Sequence, residues 1–299
     1  MSIRAADKAG IWYSDDRKEL KAEVEDCLAK AASLRPGDPK GKPLAIVVPH
    51  AGLAFSGPIA AAAFAWLHRA RVKIDSFVVF GACHHSTPQV PAIWARGAWD
   101  NPLGPAEIDA ELAGLLITAG VGEANERPHS GDNAIELQLP FIRFLFPEAR
   151  LVPVAVPFLS DAHRYGELAA RTAEKSGKAT IAVASTDLTH YGAAFGLMPA
   201  GTGKPALAWT RENDRRFLET LLRLDFCAIV PTAERDGSAC GAGAAAAAAG
   251  WAGTLGAKEG WLLARTDSFE AMPSGRADHI VGYAAVAYAS PVETDRVSG

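Results

Sequence analysis

The chain has 299 residues, enough for one large domain or two ordinary ones and for a sizeable core. Hydrophobic residues make up 49% and charged residues 21%, and a net charge of −4 without a long basic run excludes nucleic acid as a partner. No apolar run has signal-peptide character or reaches membrane-spanning length, so the expected setting is cytoplasmic, with no membrane.

In chain order, Ser14-Asp15-Asp16 caps a helix predicted over 17–32, where Leu20, Val24, Cys27 and Leu28 fall at helical spacing. A turn-rich loop over 35–39 leads to an apolar strand over 44–48, closed by Pro49-His50-Ala51-Gly52. Gly57-Pro58 opens a helix over 59–71. The run 76–80 is a second buried strand, left through Gly81-Ala82-Cys83-His84-His85. Further strands are expected over 90–95, 150–156, 179–185, 257–265 and 279–289. Helices are expected over 106–119, 132–146, 162–176, 205–224 and 241–252, the last rich in Ala and suited to close packing. The alternation predicts a single α/β domain over 1–299, an αβα sandwich with a central, mostly parallel or mixed sheet.

His50, His84 and His85 each follow an apolar strand, and neighbouring parallel strands bring their carboxyl ends into one crevice. Two neutral imidazoles plus an anionic ligand make a metal site. Cys240, at the entry to the Ala-rich helix, offers the anion, because a helix N-terminus lowers a thiol pKa; the alternative is a small buried residue at a helix start. In Ser185-Thr186-Asp187-Leu188-Thr189-His190-Tyr191-Gly192, Asp187 is close enough to His190 to hold it as a base, or equally to form an Asx-type turn. Asp132 and Glu136 fit first-turn charges of the 132–146 helix. His68 and His163 read as surface residues. The four cysteines are irregularly spaced and argue for reduced thiols; Cys27 and Cys227 are expected to be buried.

The ordered set Gly10-Ile11-Trp12-Tyr13, Pro49-His50-Ala51-Gly52, Gly81-Ala82-Cys83-His84-His85, Pro102-Leu103-Gly104, Ile135-Glu136-Leu137-Gln138-Leu139-Pro140-Phe141, the Ser185–Gly192 segment and Cys240-Gly241 resembles the Memo family, called AmmeMemoRadiSam system protein B in prokaryotes. The resemblance runs from Gly10 to about Ala289 and implies a fold similar to the class III extradiol, LigB-type dioxygenases. It implies metal ligands at His50, His84 and Cys240, a catalytic base at His190, and supporting roles for Asp187 and His85. It places His129, Asn133 and Glu136 around the ligands or the substrate pocket. Here Asp132-Asn133-Ala134 stands where the family usually reads Glu-His-Ser, so Asn133 replaces an imidazole.

The function implied is a metal-binding, extradiol-dioxygenase-like redox enzyme for an unidentified small molecule of phenolic type. One metal ion is expected, Fe(II) first, with Cu or Zn as alternatives because thiolate suits softer ions. Two other readings are a peptide- or protein-binding module, whose partners would be AMMECR1-type and radical-SAM proteins, and a Zn hydrolase.

Overall fold

The structure, a computed structural model, describes residues 3–34, 37–273 and 277–291. Residues 35–36 of the expected turn-rich loop lie outside the described residues. The amino-terminal half contains β1 (Ile3–Arg4), α1 (Arg17–Leu34), β2 (Pro43–Val48), α2 (Leu53–Arg69), β3 (Ser76–Gly81), β4 (Ala92–Ile93), β5 (Ala98–Trp99), β6 (Ala106–Glu107), α3 (Ala110–Thr118), β7 (Glu123–Ala124) and α4 (Leu139–Leu145). Next come β8 (Arg150–Ala155), α5 (Ala162–Lys175), β9 (Thr180–Ser185), β10 (His190–Gly192), α6 (Lys204–Leu222) and α7 (Phe226–Asp236). The last elements among the described residues are α8 (Ala242–Thr254), β11 (Gly260–Asp267), α9 (Ser268–Ala271) and β12 (His279–Ala289).

The main sheet has the order β10-β12-β2-β9-β3-β8-β4-β7, with β11 paired to β12. Its centre, β2-β9-β3-β8, is parallel, while β12 and β4 flank it antiparallel. The central strands read as continuous apolar runs because both faces are covered. In β3, Val78 and Phe80 pack towards the layer containing α3, α5, α6, α7 and α8. Phe77 and Val79 pack towards α1, α2 and α4. This is the expected mixed α/β sandwich.

Small residues bring α5 and α8 to backbone contact. A Cβ at Gly166 would stand 1.8 Å from the carbonyl oxygen of Ala247, so glycine is required there. The resulting helix, buried from Ala242 to Ala252, runs from the sheet's carboxyl edge, where Cys240 precedes it.

Several local expectations change. The helix expected to open at Gly57-Pro58 begins at Leu53 and carries Pro58 inside it, and residues 106–107, expected to start a helix, form β6 ahead of α3. The helix predicted over 132–146 is reduced to a 3₁₀ turn at Glu136–Gln138 followed by α4, whose first turn holds Pro140; residues 132–135 are not helical. The helix expected over 205–224 ends at Leu222, and α7 follows after Leu224 takes a positive φ of 52°. Cys227, expected to be buried, is exposed, because it lies in the first turn of α7 rather than on its packed face.

Candidate metal centre

Four segments meet at the carboxyl ends of β2, β9 and β3. His50 follows β2, Asp187 follows β9, His84 follows β3, and Cys240 enters from the start of α8. The α8 entry is pressed against β9: a Cβ at Gly241 would stand 2.6 Å from the Ser185 carbonyl oxygen. The Cys240 N–H donates to the Asp187 carbonyl at 3.3 Å, and the Asp187 N–H in turn points at Cys240 Sγ at 3.3 Å.

One ligand atom each from His50, His84 and Cys240 lies within 4.8 Å of the other two. His50 Nε2 is 3.2 Å from Cys240 Sγ, and the two imidazole rings stand edge to face with centroids 5.1 Å apart.

The partners of each ring fix which nitrogen faces the cluster. Ser185 Oγ lies 2.6 Å from the Ala134 carbonyl, which only accepts, so the single hydroxyl proton points there. The lone pairs of Ser185 Oγ therefore receive Gln138 Nε2 at 3.0 Å and His50 Nδ1 at 2.9 Å. His50 thus carries a hydrogen on Nδ1, and Nε2 is the nitrogen that faces Cys240. For His84, the Asp132 carboxylate does the same work. It accepts Nδ1–H at 3.2 Å, the backbone N–H of His84 at 2.8 Å and the Ala134 N–H at 2.8 Å. Orienting partners of this kind fix tautomer and ring angle for metal binding.

The electrostatics suit a thiolate donor. Burial alone raises the Cys240 thiol, but the charge and hydrogen bond of His50 and the His84 bond outweigh it and lower it to about 6. Burial lowers His84, yet Asp132 and Cys240 together raise it to about 10. Burial raises Asp132, but bonds and charge from His84 bring it down to about 2. Thiolate, imidazolium and carboxylate therefore stand in a row in the metal-free protein, and a cation entering the cluster replaces the proton on His84. Two imidazoles and one thiolate, each held from behind, fit a single metal ion.

The remaining sequence-predicted residues take different places. His190 follows at the edge of the crevice, where Nδ1 donates to the Leu188 carbonyl at 3.1 Å and Phe195 stands edge-on at 4.9 Å. Burial lowers the His190 pKa, while the charge of Asp187 opposes it. The Asp187–His190 hydrogen bond permitted by spacing gives way to another. Asp187 Oδ1 accepts the backbone N–H of His50 at 2.7 Å, and burial raises this carboxyl to about 6. Asn133 Nδ2 donates to the His50 carbonyl at 3.0 Å. His85 is exposed, with Nε2 at 3.2 Å from the Gly131 carbonyl.

His129 and Glu136 belong to the support of the amino-terminal arm. His129 is buried between Trp94 and Trp99, with Nε2 donating to the Ala92 carbonyl at 3.0 Å. Glu136 is wholly buried and accepts Arg4 Nη1 at 2.6 Å, the Lys8 N–H at 2.7 Å and Tyr13 Oη at 2.9 Å. Arg4 also donates to the Asp132 carbonyl at 2.6 Å, which links the arm to the residue holding His84.

Ser185, Gln138 and Asp132 are the supporting residues that sequence reasoning did not assign. Gln138 also donates to the Pro49 carbonyl at 3.0 Å, so one side chain ties the β2 end to the β9 end. A signal existed in Gln138, a long polar residue placed between Leu137 and Leu139; none existed in Ser185, a small residue ending a strand.

A cavity of about 540 Å³ starts at Ala51 and Gly52, directly after His50, and is lined further by Trp12, Phe55, His279 and Tyr283. The Trp12 carbonyl accepts the Leu53 N–H at 3.0 Å, so the arm anchored by Glu136 forms one wall.

A protein-family model described as Memo-like protein matches residues 4–287. A MEMO1 family protein of Methanopyrus kandleri is 34% identical over 292 residues, covering 94% of this chain and 96% of that one. A second, from Pyrococcus abyssi, is 32% identical over 249 residues, covering 80% and 84% respectively. The crystal structure of an uncharacterized protein from Escherichia coli K12 is similar with a TM-score of 0.51 at 11% identity, over 82% of this chain and 99% of that one. That likeness concerns the fold alone.

Proposed function

The chain belongs to the Memo family, and on that premise we propose that it is a metal-dependent redox enzyme acting on a small phenolic or enolic molecule. The observation that carries this reading is the pairing of two things in one crevice. One is a three-donor cluster, His50, His84 and Cys240. The other is His190, whose Nδ1 is already committed to the Leu188 carbonyl.

The metal, Fe(II) in this reading, would be held by His50 Nε2, His84 Nε2 and Cys240 Sγ, and supplies Lewis acidity and redox capacity when bound. Everything else falls to the chain. His190 Nε2 is the atom that takes the hydroxyl proton of the substrate, because Nδ1 is engaged. The buried Asp187 carboxyl lies within electrostatic reach and favours the protonated ring, so the accepted proton is held there. The apolar and aromatic wall formed by Trp12 and Phe55 receives the body of the substrate and keeps water from it.

The low-pKa thiolate favours a second reading, a Zn(II) site working by hydrolysis, since thiolate suits softer ions than a carboxylate does. Elemental analysis of protein purified without oxygen separates the two. The redox reading expects iron at about one per chain and oxygen uptake with catechols that His190→Gln abolishes. Zinc alone, with ester or amide cleavage and no oxygen uptake, would overturn it.

A further inference from the structure

Helix α6 buries two consecutive polar side chains, Asn213 and Asp214, on a face otherwise built from Thr210, Phe217, Leu218 and Leu221. Burying a carboxyl costs stability unless its partners are well placed. Burial raises the Asp214 carboxyl to about 7 even though bonds from Thr189 pull it down. A feature this costly asks for a reason, and both side chains turn to the same residue. Asp214 Oδ1 accepts the Thr189 N–H at 3.0 Å, and Asn213 Nδ2 donates to Thr189 Oγ1 at 3.0 Å and to the Asp236 carbonyl at 2.9 Å. The Thr189 carbonyl accepts the Gly282 N–H at 3.0 Å, and the Leu188 N–H donates to the Gly282 carbonyl at 2.8 Å. Every polar atom of Thr189 is thereby fixed. Strand β12 leaves room for the arrangement: a Cβ at Gly282 would stand 2.1 Å from Asp214 Oδ2.

His190 is the next residue, registered opposite Val281. Its Nδ1 bonds to the carbonyl of Leu188, the residue on the other side of Thr189. The geometry of that short loop, and so the choice of ring nitrogen left basic, follows from how Thr189 is held. We propose that Asp214 and Asn213 are positioning residues for His190: by clamping Thr189 from the α6 side they keep the Leu188 carbonyl on Nδ1–H and leave Nε2 as the basic nitrogen. The inference rests on the reading of His190 as the base, but its signature is a tautomer that can be read without turnover.

The test uses the full chain and three variants, Asp214→Ala, Asp214→Asn and Thr189→Val. The His190 ring is assigned by its disappearance in His190→Gln, and long-range proton–nitrogen spectra report which nitrogen carries the hydrogen. Wild type is expected to show Nδ1–H alone. Asp214→Asn keeps an acceptor for the Thr189 N–H and should retain that tautomer. Asp214→Ala and Thr189→Val should show a mixture with Nε2–H, while the metal content stays that of wild type. With a turned-over phenol, both should lower kcat about 10- to 100-fold at nearly constant KM, the size of loss that follows small misplacement of a reacting group. Thr189→Val covers the case in which Asp214→Ala does not fold. A wild-type His190 tautomer in either folded variant overturns the proposal. If no phenol is turned over at all, the enzymatic reading fails, and the tautomer still decides whether His190 is positioned from α6.

Discussion

Ser185→Ala should weaken metal binding from a position that touches no metal. The hydroxyl is fully buried and saturated, donating to the Ala134 carbonyl and accepting from Gln138 and from His50 Nδ1. Removing it leaves three buried polar groups short of a partner. Each unsatisfied group costs roughly 1–3 kcal/mol. Gln138 Nε2 already lies 3.4 Å from the Ala134 carbonyl, so those two can turn to each other. Only His50 Nδ1 is then left short, so the stability loss expected is about 1–3 kcal/mol. For the metal, the loss is the freed tautomer and tilt of His50. Removing an orienting partner of a ligand typically weakens binding about 10- to 100-fold, or about 1.4–2.7 kcal/mol. Competition for Zn(II) against a chromophoric chelator at neutral pH measures the affinity, and thermal melts with and without metal separate it from folding. Ser76→Ala is the control: Ser76 is equally buried and bonded to Asp109, at the opposite end of the strands. Wild-type affinity in folded Ser185→Ala, or an equal loss in Ser76→Ala, would refute the reasoning.

Thiol reactivity should follow the local electrostatics. In metal-free protein at pH 7, alkylation should reach Cys240 first and exposed Cys227 next, while burial holds Cys27 and Cys83 up at about 12; Zn(II) should protect Cys240 alone, and protection of Cys83 instead would show the ligand set to be wrong. Asp214→Asn should raise the melting temperature more at pH 8 than at pH 5. The Asp214 carboxyl, raised by burial from 3.8 to about 7, keeps its proton in the fold where the unfolded chain has lost it. Wild-type stability therefore falls between pH 4 and 7 by up to about 4 kcal/mol, and a pH-independent gain would contradict this. Glu136→Ala should cost about 3–5 kcal/mol by removing the buried carboxylate paired with the Arg4 guanidinium. Limited trypsinolysis at Lys8 should accelerate in that variant, and an unchanged cleavage rate would mean that Glu136 does not hold the arm.

The three-donor cluster was legible because its chemistry sits where strands end. His50 and His84 each follow an uninterrupted apolar run, and such runs, covered on both faces, could hardly be anything but central strands. Cys240 was readable from the Ala-rich helix behind it. The support was not. Ser185 looks like the last residue of a strand, and Asp132 like a helix cap, since each short side chain has many local uses. The contacts of Glu136 were hidden for a different reason. Its partners Arg4 and Tyr13 are far off in the chain, and no local pattern announces a pairing across 132 residues. The break between α6 and α7 was hidden because Leu224, an apolar residue in the left-handed region, carries a turn usually made by Gly or Asn. Cys227 was misjudged from its apolar neighbours, which describe composition but not the face of a helix.

The pairing of β12 with β2 bears on when the metal can arrive. Val286 sits opposite Val47, so the last strand closes against the first strand of the central sheet. Cys240 follows His50 by 190 residues. At a synthesis rate of about 5–20 residues per second, the imidazole at position 50 precedes the thiol out of the ribosome by about 10–40 s. A nascent chain during that interval offers at most two of the three donors, without the strand that closes beside them. Loading is then an event of the finished fold, and metal uptake during refolding becomes a direct clock for closure of the sheet.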